Sequence, residues 1–229
     1  MKKLVIAVAL LAGIAFPAAA EPGYFKLSLW DHVAVAIPNN INDIAGVDLG
    51  FGSYTHTMTG FQWDIAWAES TQLTGLSWTL GISKTADGQG VQCAFVSMSE
   101  RFAGVQFSGV NMTKDLAGIE LGGVNMSSRT LTGAQLGFVN MDNTLLGGQL
   151  GGLNISNVTL QGAQLGIVNM ANRYLEGAQI GFYNQADSLN GFQLGLLNYA
   201  KHIYGLQIGI INIAENGVLP AMVFVNGRF

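Results

Sequence analysis

Short apolar segments alternate with polar connectors along most of this chain. Within one segment, GAQLGFVNM, every second residue belongs to the same face of an extended strand: Ala134, Leu136, Phe138 and Asn140 on one side, and Gln135, Gly137, Val139 and Met141 on the other. A helix is disfavoured, because two glycines per segment cost about 2 kcal/mol relative to alanine and the apolar residues lack a 3.6-residue period. The pattern predicts strands joined by turns.

The segments are copies of one repeat. An asparagine recurs every 14 or 15 residues, with Gln or Glu five residues before it; the asparagines are Asn111, Asn125, Asn140, Asn154, Asn169, Asn184, Asn198 and Asn212. Weaker copies precede them, with Ser53, Trp67, Ser83 and Ser97 at the asparagine position. An array of this length predicts one β-repeat domain over residues 21–229.

Two all-β architectures are compatible with such a repeat. In an antiparallel outer-membrane β-barrel, one strand per repeat from about Tyr24 to the segment beginning at Ala221 gives about 14 strands. The face with Leu136 would meet lipid, Gln135 would face the lumen, and connectors such as Asp142–Leu145 and Ala186–Leu189 would form the rims. In a parallel β-solenoid, like residues stack in ladders. There we expect Gln135 and Asn140 outside, and Leu136, Val139 and Met141 inside.

The barrel is the preferred prediction, because closure removes the exposed strand edges that this weakly charged chain has few means to protect. The final segment, AMVFVNGRF, also alternates apolar residues and ends on Phe229. Outer-membrane barrels commonly end on an aromatic residue, and this likeness is a resemblance only.

The first 20 residues have the pattern of a secretory signal peptide. Lys2 and Lys3 precede an apolar run, and small residues follow at Ala18 and Ala20. We expect cleavage before Glu21 and export.

Composition limits the classes of function. Only 10% of the residues are charged, where about 25% is usual. Residues 21–229 carry 8 basic and 14 acidic side chains, a formal charge of −6, which disfavours a nucleic-acid partner. Cys93 has no second cysteine to pair with, and we interpret it as a small apolar side chain.

The sequence offers no catalytic constellation. His32, His56 and His202 have no neighbours at metal-ligand spacing. The only acids placed well inside the clearest segments are Asp64 and Glu120, whereas other charges fall in connectors, where we expect water: Lys114, Asp115, Arg129, Asp142, Arg173, Asp187 and Lys201. We predict no catalytic residue, no cofactor and no metal. The aromatic residues of the first third are interpreted as an interfacial girdle in a barrel or an end cap in a solenoid: Tyr24, Trp30, Tyr54, Trp63, Trp67 and Trp78.

The motifs GAQLGFVNM, GAQLGIVNM and GLQIGIINI, with the closing GVLPAMVFVNGRF, resemble the glycine–glutamine–asparagine surface-repeat proteins of leptospires and other Gram-negative bacteria. The resemblance covers about Gly46 to Phe229 and implies an outer-membrane or cell-surface location. The expected function is a non-catalytic structural barrel or small pore, with outer-membrane lipid and the barrel assembly machinery as partners. The alternative is a surface-exposed solenoid that serves in binding or adhesion.

Overall fold

The computed structural model describes residues 21–229, so the predicted signal peptide lies outside the described residues. The described chain is all β: β1 (Gly23–Trp30), β2 (Val33–Ile37), β3 (Asp43–Thr79), β4 (Ile82–Ala214) and β5 (Ala221–Arg228). Hydrogen-bonded neighbours follow the order β2-β1-β3-β4-β5. Among residues 21–229, no helix is long and apolar enough to cross a membrane.

Two compact units make up the chain, one ending at Thr113 and the other comprising Lys114–Phe229. In the first unit, β3 pairs in parallel with β4: Ala68 lies beside Ser83 and Gly75 beside Gly90, which is an offset of one repeat. β1 is also parallel to β3 and is antiparallel to β2. In the second unit, β5 pairs antiparallel with Gly205–Ile213 of β4.

The expected antiparallel barrel of about 14 strands is therefore not what the chain forms. Where successive repeats pair, as in Trp67–Trp78 with Ile82–Cys93, they run in parallel. Extended backbone also continues through the corners of each repeat, so β3 and β4 each contain several repeats rather than one. Parallel stacking brings identical side chains next to each other, and this explains the repeated identity of the sequence.

The interior of the second unit combines an apolar column with two polar columns. The Leu column is fully buried and consists of Leu116, Leu131, Leu145, Leu160, Leu175, Leu189 and Ile203. The Gln column (Gln135, Gln149, Gln164, Gln179, Gln193 and Gln207) and the Asn column (Asn125, Asn140, Asn154, Asn169, Asn184, Asn198 and Asn212) are also buried. Small residues such as Ser156 and Ala171 complete the packing.

This arrangement corrects the orientation expected for Gln135 and Asn140 in the solenoid. In the barrel it corrects only Asn140, which alternation places on the outer face with Leu136, and Met141, which alternation places on the inner face with Gln135. Gln135 and Asn140 are completely buried, whereas Leu136 and Met141 are partly exposed. The connectors assigned to barrel rims also enter the interior, because Leu145 and Ala186 are fully buried. Gln135 and Asn140 lie inside because each is hydrogen-bonded there, which offsets the cost of burying an amide.

In the repeat that contains Trp67, the residue at the asparagine position lies one residue later than the sequence pattern predicts. Ala68, not Trp67, is buried beside Ser83 and so occupies the place assigned to Trp67. Among the aromatic residues interpreted as a girdle or an end cap, the Trp30 ring lies 6.1 Å from the Trp67 ring, and it also lies 5.9 Å from the Phe51 ring. Trp30 and Trp78 are half exposed.

Candidate functional site

The buried amides form two hydrogen-bonded ladders in the second unit. Each Asn donates from Nδ2 to Oδ1 of the Asn in the following repeat, at 2.8–2.9 Å. Each Gln from Gln149 onward donates from Nε2 to Oε1 of the Gln in the preceding repeat, at 2.7–2.8 Å. Because these side chains bond one another and the backbone, the ladders hold the repeats together and present no group to a ligand.

The glycine that recurs two residues after the Gln of each repeat in the second unit is explained by these ladders. A Cβ atom at Gly137 would lie 2.6 Å from Nδ2 of Asn125 and 2.4 Å from the Gly122 carbonyl oxygen. Asn125 Nδ2 in turn donates to Asn140 Oδ1 and to the Leu136 carbonyl oxygen. The residue two positions after Gln is thus the point at which the Asn amide of the preceding repeat approaches the backbone. Only glycine leaves room for that amide.

Two acidic side chains, Glu120 and Asp142, are hydrogen-bonded to the Gln column. Glu120 lies in line with the Gln column and accepts a hydrogen bond from Gln135 Nε2 at 2.7 Å. Asp142, expected in a solvated connector, is buried, and its carboxylate accepts from Ser156 Oγ at 2.7 Å and from Gln149 Nε2 at 2.8 Å. Burial is the main cause that raises the pKa of Asp142 to about 7, and the nearby Glu120 charge adds to it.

The first unit contains a buried ion pair. Lys26 Nζ lies 3.3 Å from Asp48 Oδ2 and donates to Ser53 Oγ, Thr55 Oγ1 and the Tyr54 carbonyl oxygen. Burial lowers the pKa of Lys26. Burial and then the Asp48 charge raise the pKa of the neighbouring Asp64 to about 8. All these groups are sealed from solvent, so we interpret the cluster as structural.

The other candidate residues lie apart from one another. His32 is near Asp31 and Tyr54 in the first unit, whereas His202 belongs to an exposed groove in the second. Cys93 is half buried, and burial raises the pKa of its thiol. Among residues 21–229, no cluster of three or more His, Cys, Asp or Glu side chains is placed to hold a metal ion.

The second unit has an apolar face on its surface. Counted from each Gln-column residue and from Glu120, this face consists of the outward residues at positions +1, +3, +4 and +6. None of these residues is charged. Large side chains on it are 39–81% exposed: Phe138, Leu150, Leu165, Ile167, Ile180, Phe182, Leu194, Leu196, Ile210 and Ile211. A shallow depression of about 650 Å³ over Gly152 lies between Phe138 and Ile167. Contiguous apolar surface of this kind marks contact with a protein or a membrane.

Charged residues are placed on the connectors instead, where they pair across one repeat. Lys201 Nζ lies 2.9 Å from Asp187 Oδ1, and Arg129 forms an ion pair with Asp115. These pairs are exposed. Of the charged residues that we expected in solvated connectors, only Asp142 is buried. The second unit thus separates its apolar and charged surfaces onto different segments of each repeat.

Comparison of the chain with protein-family models, with curated proteins and with solved structures gave no match.

Proposed function

We propose that this protein is an exported, non-catalytic β-solenoid of the outer membrane or cell surface, and that its apolar face binds lipid. The proposal draws its export and location from the predicted signal peptide and from the resemblance to surface-repeat proteins. The parallel pairing of repeats and the stacked amide ladders support the solenoid. The barrel assembly machinery was expected for an antiparallel barrel and is not part of this proposal.

One observation carries the lipid assignment, namely that the apolar face continues over seven successive repeats without a charged side chain. At the usual spacing between strands, seven repeats extend over about 30 Å. Burial of apolar surface contributes about 25 cal/mol per Å², so a face of this length favours transfer out of water. A pore receives no support, because the interior of this unit is filled by the Leu, Gln and Asn columns.

Lipid is a better occupant of this face than a polar partner, since the face offers few hydrogen-bonding groups. Tyr183, Gln185 and Tyr199 are its only polar side chains, and the Tyr183 hydroxyl already donates to Gln185 Oε1. Ion pairs such as Asp187–Lys201 lie on the connectors and can stay hydrated while the apolar face is covered.

Vesicle flotation tests the proposal. Full-length protein, purified after export, is mixed with phosphatidylcholine vesicles and centrifuged through a density gradient. We expect wild-type protein to float, and the double variant Ile167→Glu, Phe182→Glu to remain at the bottom. The control Tyr174→Glu, Tyr204→Glu adds the same charge outside the apolar face and should still float.

Two outcomes contradict the proposal. One is wild-type protein that does not float. The other is that vesicles carry no protein and that gel filtration shows a stable dimer, which the double variant disrupts. The apolar face would then bind a second copy of the chain.

A further inference from the structure

A groove lined by both apolar and polar side chains lies on the connector side of the second unit, away from the apolar face. Its volume is about 590 Å³. The floor is formed where Leu175, Leu189 and Ile203 turn into the interior. The residues immediately before and after each of these form two walls: Tyr174, Ser188 and His202 on one side, and Glu176, Asn190 and Tyr204 on the other.

The two tyrosines are the largest side chains in the groove. Tyr174 is 60% exposed and Tyr204 is 62% exposed. They lie on opposite walls and two repeats apart, which corresponds to about 10 Å along the stack. Exposed aromatic rings present a flat apolar surface beside a hydroxyl group. Two rings at this separation suit an extended ligand better than a single small ring.

The polar side chains of the groove both donate and accept hydrogen bonds. Ser188 offers a hydroxyl, and Asn190 offers an amide with two N–H donors and a carbonyl acceptor. Beyond them, Gln161 Nε2 donates to Glu176 Oε2 at 3.0 Å, and Arg228 donates to the Asn216 carbonyl oxygen at 2.9 Å. Glu176 and Arg228 carry opposite charges, so the lining residues have no net formal charge and do not select for a charged ligand.

We infer that this groove binds a neutral linear oligosaccharide. Such a chain combines apolar C–H faces, which pack on the rings of Tyr174 and Tyr204, with hydroxyl groups that match Ser188 and Asn190. A purely apolar ligand would leave the amide and hydroxyl groups without hydrogen-bond partners, which disfavours its binding. The inference does not rest on the lipid assignment, because the groove and the apolar face occupy different segments of the repeat.

Isothermal titration calorimetry with maltohexaose, cellohexaose and chitohexaose tests this inference on the full-length exported protein. We expect at least one of the three to bind. Tyr174→Ala and Tyr204→Ala should each weaken binding about tenfold or more, because each removes a ring face on which the sugar packs. Tyr174→Phe keeps the ring and should retain most of the affinity.

A matched control is Tyr183→Ala, which removes a tyrosine from the apolar face and should leave the affinity unchanged. The inference is overturned if wild-type protein binds none of the three oligosaccharides. It is also overturned if binding is equally strong in Tyr174→Ala, Tyr204→Ala and Tyr183→Ala. Vesicle flotation of the same variants separates this result from the lipid proposal, since all three should still float.

Discussion

At the scale of single residues, the buried amides explain why the repeat keeps Gln and Asn. Asn169 makes three side-chain hydrogen bonds within the second unit: it accepts from Asn154 Nδ2 and donates to Asn184 Oδ1 and to the Ile180 carbonyl oxygen. Its removal leaves buried partners on both sides with an unmade bond, and each such group costs about 1–3 kcal/mol.

We therefore expect Asn169→Ala to lower the free energy of unfolding by about 2–4 kcal/mol, measured from urea denaturation. The matched control is Asn172→Ala, three residues later. Asn172 is only partly buried and donates to Asn157 Oδ1 at 3.0 Å, so its loss should cost less than about 1 kcal/mol. Equal losses in the two variants would mean that the buried ladder contributes no special stability.

Asp142 is a carboxylate in the same interior. Burial raises its pKa from 3.8 to about 7, so the folded protein holds this proton more tightly than the unfolded chain. The resulting stabilisation is fully present below about pH 4 and is lost as the pH rises to about 7. At about 1.4 kcal/mol per pKa unit, this loss amounts to a few kcal/mol.

We predict that Asp142→Asn removes this pH dependence. The variant should be more stable than wild type at pH 8 and about equal to it at pH 4, as measured by urea unfolding at both pH values. The exposed comparison is Asp115→Asn, which removes the ion pair with Arg129 and should change stability by less than about 1 kcal/mol. A wild-type stability that stays constant or increases between pH 4 and pH 7 would contradict the prediction.

At the scale of the structural elements, one glycine column sets how closely successive repeats approach. Gly147 has φ = +143°, and a Cβ atom there would lie 2.0 Å from the carbonyl oxygen of Gly133. The next residue, Gly148, has no such restriction, since its Cβ would meet only the Ala163 carbonyl oxygen at 3.7 Å. Alanine already occupies the equivalent position in other repeats, for example at Ala134.

These adjacent glycines give a direct test of the stacking. Gly147→Ala should prevent folding or lower stability severely, because the backbone of two repeats must separate to admit the methyl group. Gly148→Ala should be neutral or stabilise the protein by about 0.4–1 kcal/mol through a smaller entropy of the unfolded chain. Circular dichroism and urea unfolding measure both effects, and a tolerated Gly147→Ala would contradict the observed strand approach.

The sequence was sufficient to predict an all-β chain and most of the solvated charges, but it did not predict the parallel pairing of repeats or the burial of Asn140. Alternation places Gln135 on the same face as Met141 and opposite Asn140, whereas Gln135 and Asn140 are both buried and Met141 is partly exposed. The expectation that a solenoid turns both amides outward is wrong, because the ladders that stabilise Gln135 and Asn140 form only once repeats stack in parallel. The groove was missed for a related reason: Tyr174 and Tyr204 are 30 residues apart in sequence and line the same groove only because the repeats stack.

At the scale of the whole molecule, the apolar face and the net charge predict different responses to lipid. The apolar face has no cationic residue to attract anionic headgroups. Residues 21–229 carry a formal charge of 8 − 14 = −6, which such headgroups repel. Repulsion between exposed charges extends over about 30 Å at 0.01 M salt and over about 8 Å at 0.15 M. Attachment driven by the apolar face should therefore depend on lipid charge only at low salt.

We expect protein to float equally well with phosphatidylcholine vesicles at low and at moderate ionic strength. With phosphatidylglycerol vesicles, flotation should be weaker at low salt and should recover as salt is added, because screening removes the repulsion while the apolar contact is unaffected. The fraction of protein recovered with the vesicles measures both trends. Stronger binding to phosphatidylglycerol at low salt, reversed by added salt, would show that a cationic surface rather than the apolar face governs attachment.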